Sequence, residues 1–112
     1  MNGAPERGDI VWLNFDPQVG REQAGRRPAL VLSPAAYNGR VGLLIVCPIT
    51  NQVKGYSYEV ALPDDAGASG VVLCDQAKSM DWRGREVRFI GRVSPKFVTE
   101  VGEKLRTLLP FA

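Results

Sequence analysis

The arginines of this sequence stand in groups, and the first group shares its segment with other reactive side chains. Arg21, Arg26 and Arg27 lie with Glu22 and Gln23 in a stretch from Gln18 to Arg27 that has two glycines and no apolar periodicity. A polar stretch rich in functional groups is a good place to look for chemistry, although arginines such as Arg27 read by themselves as surface salt-bridge partners. The sequence contains no histidine, which removes the commonest general base and the commonest metal ligand. Cys47 and Cys74 each sit inside an apolar run; two lone thiols make neither a disulfide framework nor a metal site and read as packing residues. Any catalysis has to be built from something other than histidine, and no metal or cofactor is expected. A second group, Arg83, Arg85, Arg88 and Arg92, would place several guanidinium groups on one face of a strand, and reads equally well as a solvated face.

The chain that must position these groups has 112 residues, enough for one hydrophobic core and too few for two ordinary domains, so residues 1–112 are read as a single domain. With 45% apolar and 23% charged residues it is neither a disordered tail nor a linker. A formal charge of +2 falls short of a dedicated duplex-binding protein. No run approaches the roughly 18 to 20 apolar residues of a membrane span, and the opening MNGAPERGD lacks an apolar signal core, so a cytoplasmic protein is expected.

The apolar runs predict strands at Ile10–Phe15, ended by Asp16 and Pro17, then at Pro28–Leu32 and Val41–Cys47. Ser33–Arg40 between the last two is read as a turn on the Asn38-Gly39 signal. Weaker strands are predicted at Tyr58–Leu62, Val71–Asp75 and Val87–Val93, with a flexible acidic loop at Pro63–Gly70. One helix is expected, with Ser94 as N-cap, Pro95 at the first position, and Phe97, Val98, Val101, Leu105 and Leu108 at helical spacing, ending before Pro110. Gly102 inside it suggests close packing at that point. Short strands with one C-terminal helix predict a mainly β fold, a small antiparallel barrel of the SH3-like kind. The segment Gln18–Arg27 becomes a loop held at both ends by core strands, where function concentrates.

Four strings add what periodicity does not: GDIVWLNFDP at 8–17, the run from Gly20 to Pro34 that reads G-REQAG-R-RPALVLSP, CPIT at 47–50, and GVVLCDQAKSMDW at 70–82. Together, in this order and spacing, they resemble the MazF/PemK toxin family of the CcdB/PemK-like superfamily. The resemblance covers about Gly8 to Trp82 and extends to the terminal helix. It is weakest in the N-terminal tail, Asn51–Ser57 and Pro63–Ser69. It implies the CcdB/PemK-like barrel and a dimeric endoribonuclease toxin that cleaves single-stranded RNA and is neutralised by a cognate antitoxin. It also implies that Arg27, in the RP pair after EQAG, and Thr50 are catalytic, that Glu22 and Gln23 share the active loop, and that Asp75 and Gln76 form the matching DQ pair.

The implied chemistry is workable without a metal, because RNA carries its own nucleophile in the 2′-hydroxyl. Attack on the adjacent phosphate needs a charge clamp, a proton acceptor and a proton donor. Arg27 suits the clamp and Thr50 adds a hydroxyl donor. The family assigns acid and base work to this arginine; since arginine is almost never neutral, Glu22 stands as the alternative base. Arg21, Gln23, Arg26, Lys54, Gln76 and Lys78 are candidates for RNA binding, with Tyr56 for base stacking. Trp12 and Trp82 read as core or dimer packing. Relatives in the superfamily that poison DNA gyrase and cut nothing are the alternative, but they lack the EQAG-R-RP loop. An SH3-like binder of proline-rich peptides would want an aromatic groove, and aromatics are only 8% and scattered.

Overall fold

The computed structural model describes residues 3–16 and 20–111, so Pro17 and the start of the loop at Gln18 lie outside the described residues. In chain order the elements are β1 (Asp9–Asn14), β2 (Arg26–Val31), α1 (Ala35–Val41), β3 (Leu43–Thr50), β4 (Glu59–Ala61), β5 (Val71–Leu73), a 3-10 turn (Cys74–Gln76), β6 (Lys78–Asp81), β7 (Arg88–Arg92) and α2 (Pro95–Arg106). All strand pairs are antiparallel, in the order β4-β5-β3-β2-β1-β7. The long strand β3 is shared: Leu43–Val46 pairs with β6 and Ile49–Thr50 with β5. The expected mainly β architecture with a C-terminal helix is present, but the sheet is not closed, for no ladder among the described residues joins β4 to β7.

Both faces of the sheet are buried, which is why β1 reads as an unbroken apolar run and not as an alternation. Ile10, Leu30, Cys47 and Ile49 point to one core together with Val72 of β5 and Val98 and Val101 of α2. Val11, Leu13, Phe15, Ala29, Val31, Leu44, Val46 and Met80 form the other, edged by Trp82 and Val87. Burying each such aliphatic side chain is worth roughly 1.5–3 kcal/mol, so β1 to β3 form the rigid frame from which the loops project. Both thiols lie in the first core, and burial pushes Cys47 up to about 12 and Cys74 up to about 11, in keeping with packing residues.

Three local expectations change. The Asn38-Gly39 segment is not a hairpin turn but part of the seven-residue helix α1. Asn38 is fully buried there: its amide donates to the carbonyls of Pro5 at 2.7 Å and Ser33 at 2.9 Å and its oxygen accepts from Ser33 Oγ at 2.6 Å, which outweighs local turn preference. The strand expected at Val71–Asp75 stops at Leu73, and Cys74–Gln76 turns tightly before an additional strand, β6. Helix α2 begins as expected, Ser94 Oγ accepting from Phe97 N at 3.1 Å with Pro95 in the first turn. Gly102, however, borders open space, with nothing beyond the adjoining backbone of its own helix within 4 Å of where a Cβ would stand, so no close packing requires it. No helix of the described residues is long and apolar enough to cross a membrane.

Candidate functional site

At the end of the sheet where β2 begins and β3 ends, the loop after β1, the 3-10 turn and the segment between β3 and β4 enclose a cleft of about 700 Å³. One wall is Arg21, Glu22 and Gln23; the floor is Thr50, Leu73, Asp75 and Gln76; the other wall is Gln52, Lys54, Tyr56 and Glu59. A smaller recess of about 190 Å³ adjoins it, sharing Glu22, Gln23, Asp75 and Gln76 and adding Phe15, Pro48, Ala77 and Lys78. The sequence brings these groups together from segments far apart in the chain because β3 runs beside both β2 and β5.

The first wall is tied down at both ends. Phe15 N donates to Gly25 O at 2.9 Å and Gly25 N to Asp16 Oδ1 at 2.8 Å, while Gln23 N donates to Gln76 Oε1 at 3.1 Å. Glu22 faces Lys78 at 3.8 Å, a long pair between half-exposed groups. On the floor Thr50 is 7% exposed, and its Oγ1 accepts from Gln52 N at 3.1 Å. The backbone of Gly70 lies so close that a Cβ there would sit 2.3 Å from Thr50 O, at a φ of +113°. Across the cleft the Tyr56 hydroxyl donates to Asp75 Oδ1 at 2.8 Å. Partial desolvation of the hydroxyl, then the hydrogen bond to Asp75 and its charge, push the phenol of the otherwise exposed Tyr56 up to about 12. Glu59 accepts from Lys54 N at 2.9 Å and from Gly55 N at 2.8 Å.

Of the candidate residues, Arg21, Glu22, Gln23, Thr50, Lys54, Tyr56 and Gln76 line the main cleft and Lys78 the adjoining recess. Arg27 and Arg26 line neither. Arg27 is half-buried at the start of β2, its Nε donating to Ala24 O at 2.9 Å; Arg26 reaches the opposite way to Glu86 O at 3.0 Å. The ladder nevertheless relates Arg27 to Thr50, since each stands two residues beyond the Ala29–Pro48 pair and alternate residues share a face. Glu59 and Leu73 were not expected at the site, and Asp75 was expected only as half of the DQ pair.

The second arginine group does not form a common face. Arg83 Nη2 donates to Gly39 O at 2.6 Å and its guanidinium lies 5.1 Å from the Trp82 ring; Arg85 donates to the carbonyls of Asn14 and Asp16, both at 2.9 Å; Arg92 pairs with buried Asp9 at 2.8 Å. Trp82 packs against the second core, its indole N–H donating to Asn38 O at 2.8 Å, whereas half-buried Trp12 belongs to neither core.

No three of the described cysteine, aspartate and glutamate residues converge as a metal-ligand group. What the cleft offers is cationic side chains for phosphate, a hydroxyl on the floor, a carboxylate on the wall and an aromatic ring opposite, within a groove open to an extended polymer.

Residues 6–109 match the family of PemK-like, MazF-like toxins of type II toxin–antitoxin systems. The chain is 44% identical over 105 residues to the endoribonuclease toxin MazF of Escherichia coli K12, covering 94% of each chain. It superposes on the crystal structure of MazF from Deinococcus radiodurans with a TM-score of 0.92 at 53% identity, over 96% of this chain and 98% of that one. On the MazE–MazF crystal structure (Form-II) from the same organism the TM-score is 0.87 at 52% identity, over 97% and 98%. With nearly the whole chain matched in both sequence and fold, the protein belongs to the PemK/MazF-like toxin family of type II toxin–antitoxin systems.

Proposed function

We propose that the chain is a sequence-specific endoribonuclease toxin, acting in the cytoplasm on single-stranded RNA without a metal ion and held in check by a cognate antitoxin. The observation that carries this reading is the cleft that sets Glu22 and Arg21 on one wall above Thr50, with Arg27 at the matching register position on the neighbouring strand. The relatives named as endoribonucleases and the solved MazE–MazF complexes support it.

In the proposed reaction the ribose 2′-oxygen attacks the adjacent phosphorus and its proton passes to the Glu22 carboxylate. Charge accumulates on the non-bridging oxygens, where Arg27 supplies the cationic fork and Thr50 a hydroxyl donor. The P–O5′ bond breaks, the departing oxygen takes up a proton from solvent water, and Glu22 returns the proton it accepted to solvent. The products are a 2′,3′-cyclic phosphate and a 5′-hydroxyl end. Arg21 and Lys54 draw in the RNA backbone, and Tyr56, whose hydroxyl is held by Asp75, presents its ring for stacking. A homodimer would cover half-buried Trp12 and the exposed Phe89 of the edge strand β7.

The test is incubation of the purified, antitoxin-free protein with a long end-labelled single-stranded RNA in excess EDTA, beside Arg27→Ala. Discrete fragments with 5′-hydroxyl ends, missing from the variant, are expected. Intact RNA with folded protein overturns the reading and favours a toxin that binds DNA gyrase.

A further inference from the structure

Lys54 and Tyr56 stand on residues 51–57, which form neither helix nor strand and are all exposed. With no buried apolar anchor, the shape of such a segment is set by the hydrogen bonds that reach it. Tyr56 is held by its side chain, the hydroxyl donating to Asp75 Oδ1 at 2.8 Å, and the backbone before it is held by Glu59 at the start of β4. The two carboxylate oxygens of Glu59 accept separately from the successive amides of Lys54, at 2.9 Å, and Gly55, at 2.8 Å, and Gly55 takes a φ of +83° to aim its N–H at the carboxylate. Charge-assisted bonds of this kind are about twice as strong as neutral ones.

We infer that Glu59 is a positioning residue that sets which RNA sequences the cleft accepts, by fixing the backbone that presents Lys54 and Tyr56. This rests on the RNA-cleaving reading above. Glu59 lines the cleft, and each of its oxygens accepts from a backbone amide of the segment. Its charge also has the wrong sign for a direct role, since a carboxylate in the cleft repels the phosphates of an RNA strand. Any favourable contribution has to pass through the segment it holds. Freed from Glu59, the Lys54–Gly55 backbone would sample several positions and Tyr56 would be left to its side-chain bond to Asp75 alone, weakening binding of the preferred sequence and letting near matches in.

A single isosteric substitution separates the two roles by sign. Glu59→Gln removes the negative charge and puts an NH2 against one of the two amides. If Glu59 were only a repelling charge, the change would lower KM; if it anchors the segment, the change raises it. The experiment measures initial rates on short fluorogenic single-stranded RNAs: the sequence that the wild-type protein cuts in a long RNA, and its single-base variants. Glu59→Gln is expected to raise KM for the preferred sequence about five- to tenfold, the net worth of one solvent-exposed hydrogen bond. It leaves kcat little changed and shrinks the gap between preferred and variant sequences. Gly55→Ala, whose Cβ would meet open space and so acts only through the left-handed backbone, is expected to give the same pattern. It keeps the test valid if Glu59→Gln folds poorly, judged by thermal melting. Unchanged or lowered KM, or undiminished discrimination, in a folded variant overturns the inference while wild-type cleavage stands. Absence of cleavage by the wild-type protein takes down the RNA-cleaving reading and this inference together.

Discussion

Arg27 on β2 and Thr50 on β3 occupy matching register positions, each two residues past the Ala29–Pro48 pair, so two strands present a guanidinium and a hydroxyl on one face of the sheet. The Nε of Arg27 is committed to Ala24 O, which orients the fork. If these two groups stabilise charge only as it develops, Arg27→Ala lowers kcat for RNA cleavage by about a hundredfold or more with little change in KM, as loss of one such donor costs roughly 3 kcal/mol. Arg27→Lys fails to restore the rate because a point charge does not reproduce the fork. Thr50→Ser retains most activity and Thr50→Val does not. Single-turnover rates check all three, and full activity of Arg27→Lys would sink the clamp.

Glu22 on the cleft wall is the carboxylate assigned to proton acceptance, and Lys78 lies 3.8 Å from it. Glu22→Gln keeps size and hydrogen-bonding capacity while removing the basic oxygen pair, so cleavage should fall about a hundredfold or more, the usual scale of a general base. Full activity in Glu22→Gln alongside inactive Arg27→Ala removes the carboxylate base. Lys78→Met should change stability by less than about 0.5 kcal/mol, because a long pair between half-exposed groups contributes little.

The Tyr56–Asp75 hydrogen bond has a spectroscopic consequence. Partial desolvation, the bond and the Asp75 charge push the phenol from 10 up to about 12, so the folded state holds this proton more tightly than the unfolded chain. The contribution of that proton to folding is whole below pH 10 and is lost as the pH climbs from 10 through 12. Phenolate absorbance should show a component near 12 that is missing in Tyr56→Phe. Asp75→Asn should bring it down only part of the way, since desolvation remains the first cause. A Tyr56 component already titrated at its ordinary value in the folded wild-type protein would break this account.

Local chemistry was legible in the sequence and long-range chemistry was not. Ser94 and Pro95 announce α2 because a cap and a fixed φ act within one turn, and Ile10–Phe15 announces β1 because both of its faces are buried. The strand β6 gave no signal: it is four residues long and only Met80 of it is buried, so it exists because the edge of β3 needs a partner. Asn38 misled because its turn preference is local while its buried partners, Pro5 and Ser33, are supplied by the fold. At the site, Glu22, Gln23 and Thr50 could be named from strings resembling a known family, and Arg21 from its charge. Glu59 could not, as its role consists of two bonds to backbone amides that only the folded segment directs at it.

Gly70 supports the floor of the cleft from outside. A Cβ at this position would meet Thr50 O at 2.3 Å, and its φ of +113° is strained for any other residue. Gly70→Ala should therefore lower stability by about 2–4 kcal/mol, combining backbone strain with a displacement of the end of β3. Urea unfolding measures the loss, and the remaining folded fraction should cleave more slowly than wild type because Thr50 moves. An alanine variant as stable as wild type would mean that the floor does not depend on this close approach.

Arg85 tests whether the second arginine group serves the fold or the ligand. It binds the carbonyls of Asn14 and Asp16, the residues at which β1 gives way to the loop of the first wall, and so closes one end of that loop with two charge-assisted bonds. Arg85→Ala should cost about 1–2 kcal/mol of stability, the discounted worth of exposed bonds to carbonyls. Because Arg85 lines neither the cleft nor its recess, the salt dependence of RNA affinity should be unchanged, whereas Lys54→Ala, which removes a charge from the cleft wall, should flatten it. A flattened salt dependence in Arg85→Ala with unchanged stability would place this arginine on the RNA instead of on the frame.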